Sequence, residues 1–254
     1  MPDEPIIDCH VHPDPVDLPE GLIREANRLG VTQLIVASLG RSWDYEPSHE
    51  HCVRGNRDTL ALVERYGGMV LGWAYVNPRF EDEAEAEVRW CVEEAGFVGI
   101  KLWVSALASE SCVGRMIDLS VELRVPVLMH AWHKATGNLP LESTPQMLAG
   151  LAQAKPRARI IMAHVGGDWQ LGSRAAEGSP LLVDTSGSIV ENGMIEETVA
   201  RLGAHRVLFG SDAAGVDLAT ALAKITAAEI PHEARRRILY DNVVELLSWR
   251  RQAA

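Results

Sequence analysis

The stretch Ile6-Ile7-Asp8-Cys9-His10-Val11-His12 decides how the chain is read. Its apolar start predicts a buried strand. A strand turns alternate side chains to one face, so His10 and His12 point together while Cys9 turns away. Two neutral imidazoles on one face suit a divalent metal ion. The same pair also reads as a polar strand end, because two ligands do not close a tetrahedral site. The rest of the chain must supply the others.

Working outward, strands and helices alternate. Residues 18–29 carry apolar side chains at helix-like intervals and end at Gly30, a suitable C-terminal cap. Residues 33–38 read as a second buried strand. Residues 40–54, which include Arg41, Trp43, Tyr45, His49 and His51, read as a long polar and aromatic loop before a helix ending near Gly67-Gly68, and long loops are often functional. Further strands are predicted at 70–76, 97–102, 126–130, 159–164, 181–185 and 206–210. Helices are predicted near 81–95, 113–123, 145–154 and 195–202, with two more near 219–227 and 231–249. Eight βα units with near-continuous apolar strands predict an α/β fold. It is a single (β/α)8 TIM barrel domain over residues 1–254, with a C-terminal helical extension.

Composition narrows the classes. The 254 residues are 47% apolar and 23% charged, ordinary for a chain with a large core. No run approaches the roughly 20 apolar residues of a membrane span, and the N-terminus lacks the pattern of an export signal. The net charge of -11 and scattered basic residues argue against nucleic acid as a partner. Cys9, Cys52, Cys91 and Cys112 form no CxxC pair, which suits reduced thiols in the cytoplasm.

The strand ends carry the chemistry. Barrel enzymes keep their sites where the C-terminal ends of the strands converge, and here those ends hold His10, His12, Lys101, His130, His164 and Asp212. Each has a structural reading of its own: a histidine satisfying a backbone group, a lysine paired with a carboxylate, an aspartate capping a helix. All six recurring in step with the barrel point to a metal site. Three imidazoles and a carboxylate suit a catalytic zinc or manganese shell that keeps room for water. Trp132 and His133 follow His130 and are expected to line the mouth. Arg41, Trp43 and Tyr45 read either as substrate contacts or as loop packing. Together they would suit a small, planar, carboxylate-bearing substrate.

Several segments carry a family resemblance in order: Asp8-Cys9-His10-Val11-His12, Gly99-Ile100-Lys101-Leu102, Met129-His130, Ala163-His164-Val165-Gly166-Gly167, Asp184-Thr185-Ser186-Gly187, Phe209-Gly210-Ser211-Asp212 and Ile238-Leu239-Tyr240-Asp241-Asn242. The set resembles the amidohydrolase superfamily, most closely the amidohydrolase-related branch that includes aminocarboxymuconate semialdehyde decarboxylase-like proteins. The resemblance implies one divalent metal, zinc first with manganese, iron or nickel also suited, held by His10, His12, His130 and Asp212. Asp212 would move the proton of a metal-activated water, and His164 would orient the substrate or bind a second ion. Lys101 would be unmodified and could bind a substrate carboxylate, or carboxylated and bridging two metals.

The leading expectation is a metal-dependent hydrolase of an amide, lactone or ester bond in a small organic acid. The alternative is a nonoxidative decarboxylase or hydratase of the same superfamily, since fold alone does not separate them. A TatD-like phosphoesterase ranks lower, because that branch has a glutamate where this chain has Lys101. A nonenzymatic metal- or metabolite-binding barrel ranks last. A homodimer is left open.

Overall fold

Buried apolar runs make the strands, and in the computed structural model, which describes residues 4–13, 18–40 and 43–251, they join into one parallel sheet in chain order. The strands are β1 (Ile6–Val11), β2 (Val31–Val36), β3 (Val70–Tyr75), β4 (Gly99–Leu102), β5 (Val127–Met129), β6 (Ile160–Met162), β7 (Leu182–Asp184) and β8 (Val207–Leu208). The helices between them are α1 (Leu18–Leu29), α2 (His49–Tyr66), α3 (Glu81–Arg89), α4 (Ser111–Leu123), α5 (Pro145–Ala154), α6 (Trp169–Glu177) and α7 (Met194–Leu202). After β8 come α8 (Leu218–Thr226), α9 (His232–Arg236) and α10 (Asn242–Arg251). This is the expected (β/α)8 barrel.

Side-chain alternation divides the core into two shells. Ile6, Leu34, Ile100, Val127, Ile160 and Val207 pack outward with helical residues such as Val88, Ile117, Leu148 and Leu222. Ile7, Ile35, Leu128, Ile161 and Leu208 pack inward around Trp73, whose indole N–H donates to Cys9 O at 2.9 Å. Each such fully buried aliphatic side chain contributes about 1.5–3 kcal/mol relative to exposure. Val243 and Leu246 of α10 join the inner shell. Asn242 donates to Val207 O at 2.7 Å and Arg250 to Phe97 O at 3.2 Å, so α10 covers the end of the barrel where the strands begin. The site is left to the other end.

The barrel closes between its first and last strands. Cys9 N donates to Phe209 O at 2.9 Å, Asp212 N to His10 O at 2.8 Å and His12 N to Ala213 O at 2.6 Å. Asp8 Oδ1 accepts from Ser211 N at 2.9 Å and from His10 N at 3.1 Å. This seam carries His10, His12 and Asp212 directly beside one another.

Three details differ from the sequence expectation. A register shift between Asp8 and Val11 breaks the alternation of β1, so Cys9 packs in the inner shell while His10 and His12 still converge. The loop after β2 is shorter than expected, because Ser48 accepts from His51 N and starts α2 at His49. Helix α6, which was not anticipated, is started by Asp168 accepting from Leu171 N at 3.0 Å. Among the described residues no helix is long and apolar enough to cross a membrane.

Candidate active site

The two histidines of β1 are fixed by what binds their far nitrogens. His10 Nδ1 lies 2.8 Å from Asp184 Oδ2, and His12 Nδ1 lies 2.8 Å from Ala37 O. A carbonyl oxygen only accepts, and a carboxylate does the same, so both rings carry their proton on Nδ1 and present the Nε2 lone pair. Burial, then the Lys101 charge, holds both imidazoles well below their ordinary pKa. The two Nε2 atoms stand 2.9 Å apart, and Asp212 Oδ1 is 3.8 Å from each.

Two lone pairs and a carboxylate facing one another at this range repel unless a cation lies among them. Lys101 Nζ, 2.7 Å from His10 Nε2, supplies one donor, and burial lowers its amine to about 8. The donor set fits a divalent metal ion. The potential ligand atoms of His10, His12 and Asp212 lie within 4.8 Å of one another, and so do those of His10, His164 and Asp184. Carboxylate-to-histidine support of this kind orients metal ligands.

His130 sits differently. It lines the same cavity, but its Nε2 is 3.0 Å from Glu142 Oε1. Glu142 is buried and also accepts from Lys134 Nζ at 2.7 Å and Leu139 N at 3.1 Å. Burial raises its carboxyl, yet the bonds from His130, Lys134 and Leu139 outweigh that and hold it at about 2.

The turns after β6 and β8 aim the other two groups. His164 (φ 61°) and Asp212 (φ 66°) both occupy the left-handed region, a conformation that costs non-glycine residues energy and clusters at functional sites. His164 N donates to Asp184 Oδ1 at 2.9 Å. Ser186 Oγ lies 2.8 Å from His164 Nδ1 and 2.9 Å from His10 Nδ1, and it also donates to Asp184 Oδ1. Burial pushes Asp212 up to about 6, with Lys101 opposing the rise.

The cavity above these groups measures about 260 Å³ and is walled by Trp43, Tyr45, Trp103 and Trp132. The Trp43 and Trp103 rings meet edge to face at 6.0 Å, Tyr45 lies 5.0 Å from Trp103, and Trp132 stacks on His130 at 6.1 Å. Among the expected substrate contacts, Trp132, Trp43 and Tyr45 line this space. His133 is half-buried, donates its backbone N–H to Gly166 O at 2.8 Å and is not part of the lining. Arg41 lies outside the described residues. Asp184, Ser186, Glu142 and Trp103 were not singled out from the sequence; only the Asp184-Thr185-Ser186-Gly187 segment hinted at the first two.

The profile of a family described as amidohydrolase matches residues 7–249. The chain belongs to that family. Among curated proteins none matches this chain by sequence. Its fold is similar to 2,6-dihydroxybenzoate decarboxylase from Rhizobium (TM-score 0.79, 16% identity, 98% of this chain and 99% of that one). It is also similar to a dihydroxybenzoic acid decarboxylase from Polaromonas sp. JS666 with bound manganese and 2-nitroresorcinol (TM-score 0.74, 16% identity, 98% and 97%). A third is 4-oxalomesaconate hydratase from Rhodopseudomonas palustris (TM-score 0.72, 17% identity, 98% and 97%). At these identities the likeness concerns the fold.

Asp184 is the hub that ties β7 to His10 and His164. Asp184→Asn is expected to weaken metal binding about 10–100-fold, measured by competition with a chelator of known affinity. An unchanged affinity would mean that Asp184 does not set the His10 ring.

Proposed function

We propose that this member of the amidohydrolase family is a metal-dependent, nonoxidative decarboxylase of a planar, carboxylate-bearing small molecule. The observation that carries this reading is the cavity wall: Trp43, Tyr45, Trp103 and Trp132 enclose a space with Lys101, His164 and Asp212 beneath it. Aromatic faces stack on a flat substrate. A carboxylate loses its charge as carbon dioxide departs, and apolar walls favour the less charged state. Two of the similar folds belong to decarboxylases of dihydroxybenzoates, which lends the reading support by analogy.

When held by His10, His12 and Asp212 with His130 beside them, a divalent ion, manganese or zinc, would supply a Lewis acid that draws in and polarises the substrate's anionic oxygens. The remaining work falls to side chains. Lys101 gives the substrate carboxylate a positive partner. Asp212, which borders the same cavity, can pass a proton to the carbon that bears the carboxylate. The electron pair of the breaking C–C bond stays on that carbon and takes up the proton as the new C–H bond, carbon dioxide leaves, and Asp212 is left as the carboxylate, to be reprotonated from solvent. His164, with Nδ1 fixed by Ser186, offers its other nitrogen to a substrate oxygen.

Hydrolysis of an amide, lactone or ester would use Asp212 as a base instead. Protein purified without chelator and supplied with manganese or zinc is expected to release carbon dioxide from a hydroxylated aromatic carboxylate or an unsaturated dicarboxylate. The same screen should include lactones, amides and esters. Turnover confined to those, with no carbon dioxide, overturns the decarboxylase in favour of the hydrolase.

A further inference from the structure

Lys224 on α8 is a half-buried cation that the reaction above does not use. Its Nζ donates to Thr185 O at 2.5 Å and Gly187 O at 3.1 Å, and lies 3.5 Å from Ile189 O. Three carbonyls of one loop therefore turn their negative ends toward a single point. Carbonyl dipoles converging in this way repel one another unless a cation sits among them. An ammonium has three N–H bonds, one for each carbonyl, whereas a neutral amine has two.

The loop so gathered is the one that holds the histidines. Ser186 lies between two of these carbonyls, and its Oγ touches both His10 and His164. Gly187, at φ +87°, runs so close to His164 that a Cβ there would stand 2.9 Å from the ring's Nδ1. A shift of the loop is thus passed to the imidazole through Ser186 Oγ, which lies 2.8 Å from His164 Nδ1. The Lys224 charge also favours the charged form of Asp212.

We propose that Lys224 is a positioning residue: its ammonium, standing where a free monovalent cation could otherwise sit, gathers the 185–189 loop and so sets the rings of His164 and His10. The proposal rests on the active site lying at this mouth, and one of its readouts does not depend on which reaction occurs there. Lys224 also lines a separate cavity of about 360 Å³ between α7 and α8, through which a small cation could reach the vacated carbonyls.

The experiment compares Lys224→Ala and Lys224→Met with the unaltered chain, each with and without methylammonium. The first readout is the ¹⁵N spectrum of the histidine rings, which reports tautomer and hydrogen bonding. Both variants are expected to shift the His164 and His10 signals, and methylammonium to return them in Lys224→Ala, where the stem has been removed. Turnover on whichever substrate the protein accepts should fall about tenfold or more in kcat, at little change in KM, and recover alongside the ring signals. Lys224→Met keeps the apolar stem. Ring signals and kcat in it that match the unaltered protein would overturn the proposal, leaving the side chain as packing. Variant spectra that shift without any response to methylammonium would overturn the cation's role as well. If no substrate is found, the ring spectra alone decide.

Discussion

Asp212→Asn is expected to lower turnover by about 10³-fold, the usual weight of a positioned proton donor or acceptor, while far-UV circular dichroism and thermal midpoint stay near those of the unaltered protein. The amide matches the carboxyl in shape but cannot hold or give up the proton. The backbone makes this a clean substitution: residue 212 has φ 66°, and asparagine is among the few side chains at ease in that left-handed region. The turn after β8 should therefore survive, with Asp212 N still bonded to His10 O at 2.8 Å. Activity within tenfold of the original would remove Asp212 from the proton step.

The second large effect concerns the metal. Protein purified without chelator is expected to contain about one equivalent of a divalent ion, and His10→Ala or His12→Ala to contain almost none, since two remaining donors hold a metal poorly. Elemental analysis after gel filtration measures this, and a full equivalent in either variant would sink the assignment. The two variants should differ in stability once all samples are stripped of metal. His12→Ala leaves one carbonyl, Ala37 O, without its donor. His10→Ala leaves Asp184 Oδ2, a carboxylate oxygen in a fully buried place, without its partner, and an unsatisfied buried group costs about 1–3 kcal/mol, more when it is charged. Urea midpoints should accordingly rank His10→Ala below His12→Ala.

The barrel was legible because its strands are short apolar runs buried on both faces, a pattern that survives reading without any partner in view. Helix α6 was not, since Gly172 interrupts it and the glycines at 166 and 167 before it read as loop; the Asp168 cap was its only local sign. The shift in Cys9 follows from an irregular pairing of β1 with β2, and a single strand's pattern carries no trace of its neighbour's register. The histidines and Asp212 stood out because such residues at strand ends have few structural uses in common. Asp184 did not, because its work is done on a ring 174 positions away. Glu142 likewise looks like any loop carboxylate until His130 and Lys134 are seen to meet it.

The seam between the last strand and the first has a consequence for how the chain acquires its structure. Ser211 and Asp8, which bond across it, are 203 positions apart, and the proposed metal donors straddle the same gap. Bringing such distant segments together carries the greatest loop-closure cost of any pairing in the barrel, and distant pairings form slowly. During synthesis, His10 and His12 leave the ribosome long before Asp212 exists. On the proposed assignment the growing chain therefore carries two of the donors long before the third, and the full set comes together only when the barrel closes.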